Sequence, residues 1–218
     1  MALPQPGALV KRVEVGVTPE HGFGKAGPAR GRARDVRVIF GLFGRSRERR
    51  APVDALFARL AEASRQPALY RSCGVPDTFE GRFESLTLHL FLLLRRLRDL
   101  PAPAADLSQE LVDACFAYLE LGFRNGGVSD IAVPKRMKKI GQSLYGRLKA
   151  YEAALDEPGP EALIEALRRN VGAGEGAEQL ARYALDSAEC LAGRDLAAIL
   201  SEDQLFPTLT AGETRHDA

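Results

Sequence analysis

The 218-residue sequence contains no tryptophan, few aromatic residues and only three cysteines, none of which form a CxxC pair. An odd number of widely spaced cysteines suits buried free thiols in a reducing compartment and is unlike a disulfide framework. The longest apolar stretch, residues 86–94, is interrupted by Thr87 and His89. It is much shorter than the roughly 18 residues that a helix needs to cross a bilayer, so the sequence argues against a membrane-spanning helix.

Motifs for catalysis, metal binding and nucleotide binding are also missing. HExxH and GxSxG do not occur, and His21, His89 and His216 are far apart along the chain. The glycines at 172–176 follow a predicted helix and not a strand, so helix termination explains them better than a phosphate-binding loop. We therefore predict no catalytic residues, no metal site, no cofactor and no enzymatic activity. A small enzyme whose site is invisible in the sequence is one alternative.

Charge is distributed unevenly, although the net charge is only +1. Residues 1–50 hold eleven Lys and Arg against four acids, whereas residues 151–218 hold five against fourteen. We expect residues 1–35 to be a disordered or weakly structured basic extension and residues 201–218 to be an acidic tail. Such a chain would orient in the field of ribosomal RNA or of an anionic membrane, although solvated tails are the simpler interpretation.

Between residues 51 and 200 the apolar residues recur at helical spacing, which predicts an all-α, compact bundle of about six or seven helices. The first helix begins at Ala51. The next begins after the turn at 74–76, with Asp77 and Glu80 as a capping pair, and its two apolar faces place it at the centre of the bundle. Further helices are predicted at 107–121, 128–156, 160–170, 176–192 and 195–200.

Two details of the predicted core concern individual side chains. In the helix at 107–121 the apolar stripe consists of Leu107, Leu111, Cys115, Tyr118 and Leu121, with Cys115 as a core residue and not a nucleophile. His89 lies beside the main stripe of the central helix with no second metal ligand at i+3 or i+4, which favours a hydrogen-bonded core histidine.

The helix predicted at 128–156 has one apolar and one basic side. Residues 131–151 hold six cations and no acid, whereas a face that serves only solubility usually mixes both signs. In residues 36–50 a small apolar patch is followed by four arginines, which suits either a targeting segment at a headgroup or RNA surface or a helix packed on the domain. The candidate partner-binding residues are Lys135, Arg136, Lys138, Lys139, Tyr145 and Arg147, together with Arg45, Arg47, Arg49 and Arg50.

Several short motifs occur in an order that resembles a known family. They are Leu69-Tyr70, the run from Gly74 to Glu84, Leu88-His89-Leu90-Phe91-Leu92, Gly127-Val128-Ser129-Asp130, Val133-Pro134-Lys135 and Tyr145-Gly146-Arg147. Over roughly residues 52–200 the chain resembles the ubiquinol-cytochrome c chaperone family, assembly factors of respiratory complex III, in its bacterial form. The signature positions are Gly74, Pro76, Asp77, Thr78, Glu80 and Arg82.

The resemblance implies a helical chaperone that receives newly made cytochrome b and helps to pass it into the bc1 complex. From the resemblance and the basic residues together, we expect a cytoplasmic protein that is peripherally associated with the cytoplasmic face of the inner membrane. Its further partners would be the ribosome and an anionic membrane surface, with no sequence-specific nucleic acid. A general ribosome-binding or RNA-binding helical module is the second alternative, weakened by the absence of aromatic residues interleaved with the cations.

Overall fold

The structure is a computed structural model that describes residues 43–209, with side chains from residue 51 onward. The predicted extension at 1–35 lies outside the described residues, as do positions 36–42 and 210–218. The side chains of Arg45, Arg47, Arg49 and Arg50 are likewise not described, although their backbone belongs to the first helix. The domain division made from the sequence therefore stays a prediction.

The described chain is helical, and no strand occurs between residues 43 and 209. The all-α prediction is confirmed. Residues 43–209 contain eight α-helices, and one 3₁₀ turn in this range, at Gly174–Gly176, precedes the seventh. They are α1 Phe43–Ala63, α2 Pro67–Arg71, α3 Phe79–Arg98, α4 Ala104–Asn125, α5 Val133–Asp156, α6 Glu161–Val171, α7 Ala177–Ala192 and α8 Leu196–Ser201.

Helix α3 lies at the centre of the bundle. It packs against α4, α5, α6 and α7, and side chains around its whole circumference are buried. Leu90, Leu93 and Leu97 are completely buried. A helix that is apolar on more than one face must have neighbours on more than one side, so the central position follows from the sequence pattern.

The start of α3 differs from the predicted capping pair. Thr78 has an extended backbone, and its hydroxyl accepts a hydrogen bond of 3.1 Å from the Gly81 amide, so Thr78 is the N-cap. Asp77 instead pairs with Arg82 at 2.7 Å, with both side chains exposed to solvent. The pairing of Asp77 with Glu80 was wrong because the helix begins one residue later than that motif requires, which places the hydroxyl of Thr78 at the exposed amides.

The turn between α4 and α5 is longer than predicted, because α5 begins at Val133 and not at residue 128. Gly127 has a φ of +79°, and the Val128 amide donates to the Phe123 carbonyl at 3.1 Å. This left-handed residue and the hydrogen bond that spans it form a Schellman motif, which ends α4 and turns the chain away from the helix axis.

The far half of α4 buries different residues from those predicted. Tyr118 and Leu121 are 37% and 56% exposed, whereas Leu119 and Phe123 are buried. The buried residues are spaced four apart, at positions 111, 115, 119 and 123, whereas the predicted stripe continues from Cys115 in steps of three. A helix has about 3.6 residues per turn, so the two spacings lead to different faces. The predicted stripe is wrong at its end, and two large apolar side chains face solvent.

Candidate partner-binding surface

An apolar groove of about 350 Å³ lies between the end of α1, the start of α3 and the end of α4. Phe79, Phe83 and Leu86 line it from α3, and Tyr118, Leu119 and Leu121 line it from α4. Ala61, Ser64 and Arg65 close the side formed by the end of α1 and the loop after it. The predicted stripe of α4 therefore contributes Tyr118 and Leu121 to a surface groove and not to the core.

Aromatic rings and guanidinium groups hold the edges of this groove. The Arg65 guanidinium lies 5.6 Å from the centre of the Tyr118 ring and also donates a hydrogen bond to its hydroxyl. Phe79 packs on Phe123 with 5.1 Å between ring centres, and Arg136 lies 5.7 Å from the same Phe123 ring. Cation–π contacts of this kind restrain the rings, so the apolar lining is partly preorganised.

Exposed apolar side chains gather at this end of the bundle. Among the side chains of residues 51–209, six large hydrophobic residues are exposed, and four of them belong to the groove or to the nearby turn. These four are Phe79, Tyr118, Leu121 and Ile131. Single exposed apolar residues are normal on protein surfaces, but a cluster of them indicates an interaction site.

The predicted basic strip lies on the first turns of α5. Lys135, Arg136, Lys138 and Lys139 are all exposed, and no carboxylate of the described side chains forms an ion pair with any of them. At the opposite end of α3, by contrast, Glu152 on α5 pairs with Arg98 at 2.7 Å. Cations without acidic neighbours keep a positive surface potential, so the strip can attract an anionic partner.

Arg147 and Tyr145 differ in environment from the four cations of the strip. The Arg147 guanidinium donates to both carboxylate oxygens of Glu84, at 2.8 to 3.2 Å, and its side chain is only 28% exposed. Tyr145 is half-buried, and this burial raises the pKa of its hydroxyl. The structure therefore separates both residues from the four exposed cations, and their role in partner binding stays a prediction.

Sequence reasoning missed the partner of Arg147. Glu84 is 6% exposed and belongs to the central helix α3, where burial raises the pKa of its carboxyl and Arg147 partly opposes that effect. A lone acid between Gly81 and Arg95 of an otherwise apolar helix is the signal that could have found it. A buried carboxylate requires a cation or hydrogen-bond donors, and Arg147 supplies both.

The titratable groups with the largest pKa shifts lie in the core. His89 is fully buried, with Nδ1 2.7 Å from the Ser85 carbonyl and Nε2 2.8 Å from the Tyr183 hydroxyl. Burial lowers the pKa of His89 to about 4, so the ring is neutral, donates to Ser85 and accepts from Tyr183. Burial raises the pKa of Cys73 to about 11 and that of Cys115 to about 12, which makes both poor nucleophiles. The core interpretations of His89 and Cys115 are confirmed.

Two further findings concern ligands and membranes. Within residues 43–209, no group of three His, Cys, Asp or Glu side chains is arranged to hold a metal ion. No helix in the part of the chain that the structure describes has the length and apolar character needed to span a bilayer.

The glycines of the signature region have a packing role. Gly74 has a φ of +69°, and a Cβ at this position would lie 2.1 Å from the Ala173 carbonyl oxygen. A Cβ on Gly176 would lie 2.3 Å from the backbone of Cys73, and one on Gly81 would lie 1.9 Å from the Pro76 carbonyl oxygen. The loop before α3 therefore fits against the turn before α7 only because Gly74 and Gly176 lack side chains, and Gly81 allows the same loop to lie against the first turn of α3.

Comparison with known proteins gives the family. The sequence profile described as "Ubiquinol-cytochrome C chaperone" matches residues 71–206, which is more than half of the chain. The chain belongs to the ubiquinol-cytochrome c chaperone family. The match covers the loop of signature residues, the central helix, the groove-forming half of α4 and the whole of α5.

A solved structure supports this assignment. The chain is similar to the protein in the "Crystal structure of the Cbp3 homolog from Brucella abortus", with 36% identity and a TM-score of 0.67. The match covers 78% of this chain and 97% of that one. Among curated proteins, none matches this sequence. Membership of the chaperone family places the protein in assembly of the bc1 complex.

Proposed function

We propose that this member of the ubiquinol-cytochrome c chaperone family is a non-enzymatic assembly factor that holds newly made cytochrome b in the groove between α3 and α4. The observation that carries the proposal is the apolar lining at a solvent-facing position, with Phe79, Tyr118 and Leu121 all exposed. Cytochrome b is a hydrophobic membrane protein, so segments that have not yet been assembled need an apolar surface to cover them.

The size of the groove suits a short segment held reversibly. A volume of about 350 Å³ is close to the lower limit of ordinary ligand pockets, so it admits a few apolar side chains and not a folded domain. Each side chain that leaves water completely contributes about 1.5 to 3 kcal/mol before the entropy of ordering is subtracted. The resulting affinity is modest, which allows the client to be released into the bc1 complex.

The basic strip would determine where capture takes place. We propose that Lys135, Arg136, Lys138 and Lys139 keep the protein near the ribosome or at the cytoplasmic face of the inner membrane, as a peripheral protein. The exposure of all four cations and the lack of acidic partners among the described side chains support this role. Arg45 to Arg50 would act with the strip, although their side chains lie outside the described region.

The positions of the side chains with strongly shifted pKa values support a function without catalysis. The buried His89, Cys73 and Cys115 lie in the core, whereas Phe79, Tyr118 and Leu121 of the groove offer surface and no nucleophile paired with a base. A general RNA-binding module is the second candidate, favoured by the unpaired cations on α5. It predicts salt-sensitive binding to bulk RNA and no effect on cytochrome b.

Gene deletion followed by complementation tests the proposal. Cells that lack the gene should lose cytochrome b and the bc1 complex selectively, while other respiratory complexes stay at normal levels. Leu121→Glu, which introduces a charge into the groove, should fail to restore cytochrome b. Leu185→Glu, at a 37% exposed leucine on α7, is the matched control and should restore it. Normal bc1 levels in the deletion strain would contradict the function, and equal behaviour of the two variants would contradict the groove.

The location is tested separately. Reversal of Lys135, Lys138 and Lys139 to Glu should release the protein from membranes or ribosomes at low salt without unfolding it, because screening is weakest there. Sedimentation with the membrane and ribosome fractions measures this effect, and circular dichroism checks the fold. Unchanged sedimentation would remove the strip from the mechanism.

A further inference from the structure

The turn between α4 and α5 carries a large aliphatic side chain that nothing covers. Ile131 is 94% exposed, the highest value among the large hydrophobic residues described. The turn that presents it is ordered by backbone hydrogen bonds from Ala132 and Val133 to the Ser129 carbonyl, at 2.8 and 3.1 Å. The position of Ile131 is therefore determined by the fold.

Cations surround this isoleucine. Lys135 lies four residues after it, and Lys138 and Lys139 follow at one further helical turn, so all three lie on the side of α5 that continues from the turn. Between residues 124 and 139 the chain has five cations and a single acid, Asp130. That acid is already paired with Arg124. The surface around Ile131 is thus positive, with an aliphatic side chain at its edge.

We infer that this turn and the start of α5 form a membrane-docking surface, in which Ile131 inserts among the headgroups of an anionic bilayer while Lys135, Lys138 and Lys139 bind lipid phosphates. The inference rests on the proposed function for its membrane location, and it selects the lipid surface in place of the ribosome. A lone aliphatic residue beside lysines is the composition that interfacial binding uses, because burial and charge attraction add there.

An RNA partner explains the same surface less well. Phosphates of RNA would engage the lysines but would gain nothing from Ile131, and base stacking requires aromatic rings with a free face. The nearby rings are already in contact with other groups. Tyr118 packs on Phe57 at 5.4 Å and on Arg65, and Phe79 packs on Phe123. Charge complementarity and the exposed aliphatic side chain together favour lipid.

The docking surface and the groove share one end of the bundle. α3 begins there, α4 ends there and α5 begins there, so Phe79 and Leu121 of the groove lie near the turn that carries Ile131. Contacts of Phe123 with both Phe79 and Arg136 connect the two surfaces. Docking through Ile131 would hold the groove at the bilayer surface, where an apolar client segment is transferred over the shortest distance.

Vesicle co-sedimentation of the full chain, with no client present, tests the inference. The probe is vesicles of phosphatidylglycerol and phosphatidylcholine, compared with vesicles of phosphatidylcholine alone. Ile131→Ser should weaken partitioning to the anionic vesicles about tenfold, since an inserted aliphatic side chain is lost. Lys139→Gln should weaken it about fivefold. The matched controls are Leu185→Ser and Lys149→Gln, an exposed leucine elsewhere and an exposed lysine further along α5, and both should bind like the wild type.

Each outcome bears on a different statement. If Ile131→Ser binds anionic vesicles as tightly as Leu185→Ser does, or if the wild type does not bind them, membrane docking by this surface is refuted. Binding of ribosomal RNA equally by the wild type and Ile131→Ser, without vesicle binding, would identify RNA as the partner instead. Cytochrome b is absent from the vesicle assay, so the result of that assay is independent of the complementation test with Leu121→Glu. Membrane docking can therefore be refuted while client binding in the groove stands, and the reverse.

Discussion

Arg147→Ala should destabilise the protein by about 2 to 3 kcal/mol at neutral pH. Removal of one partner of a buried ion pair ordinarily costs about 3 to 5 kcal/mol, because the remaining charge is left in the interior. Glu84 has an 8% exposed side chain, but that of Arg147 is 28% exposed, and solvent at this edge reduces the expected cost. Urea unfolding followed by circular dichroism measures the difference.

The pH dependence identifies the physical cause. Burial raises the pKa of the Glu84 carboxyl and Arg147 opposes it, so removal of Arg147 raises that pKa further. A carboxyl whose pKa is raised in the folded state does not destabilise the protein while it is protonated. Stability is lost as the pH rises from the unfolded-state pKa through the folded-state pKa, because burial disfavours the ionised form. The difference between the wild type and Arg147→Ala should therefore be smaller at about pH 5 than at about pH 8.

A double variant provides the control. Glu84→Gln removes the charge that Arg147 neutralises, so Glu84→Gln with Arg147→Ala should be clearly more stable at neutral pH than Arg147→Ala alone. Lys149→Ala, at an exposed cation of the same helix, should change stability by less than about 0.5 kcal/mol. A loss below that limit for Arg147→Ala, or a loss that is the same at both pH values, would refute the buried-pair argument. It would leave Arg147 available for partner binding.

Three further predictions concern the loop, the cap and the core. Gly74→Ala should reduce the free energy of unfolding by about 3 kcal/mol, because a positive φ and an overlap with the backbone of Ala173 act together. Gly127→Ala, with a positive φ and open space, should reduce it by about 1 kcal/mol. Equal losses of stability in thermal unfolding would contradict the overlap. Thr78→Ala should reduce the free energy of unfolding by about 1 kcal/mol through loss of the N-cap, and Asp77→Ala should reduce it by less. If urea unfolding showed the larger loss for Asp77→Ala, Asp77 and not Thr78 would be the N-cap. His89 should remain neutral in the folded protein down to about pH 5, so stability should fall below about pH 6.5, where the unfolded chain gains a proton that the native state does not bind. An NMR titration near pH 6.5 that is assigned to the imidazole of His89, as distinct from His21 and His216, would refute this.

The helices were predictable where apolar residues recur in a single register over several turns. Helix α3 is an example, because its apolar residues cover more than one face and only a central position buries them all. The capping residue of that helix was not predictable in the same way. Asp77 and Thr78 are both good N-caps, so residue preference alone does not choose between them.

The candidate site was predictable only in part. The basic strip on α5 followed from a run of cations without acids, which is a local property of the sequence. A groove beside the central helix was expected, but its lining residues were not predictable. Tyr118 and Leu121 have the same apolar character as Leu119 and Phe123, and only the packing of α4 decides which pair is buried. The lone acid in α3 indicates that Glu84 needs a partner, but Arg147 lies 63 positions away, so no local pattern identifies it as that partner.

The charges beside the groove also affect its selectivity. An apolar groove open to solvent invites self-association, since two copies could cover each other's exposed rings. Arg65 and Arg136 lie against the rings at its edges, so a second copy approaching groove to groove would bring like charges together. A segment with apolar side chains and no cations meets no such repulsion. Contacts that restrain Tyr118 and Phe123 therefore also favour a foreign apolar segment over a second copy of the chaperone.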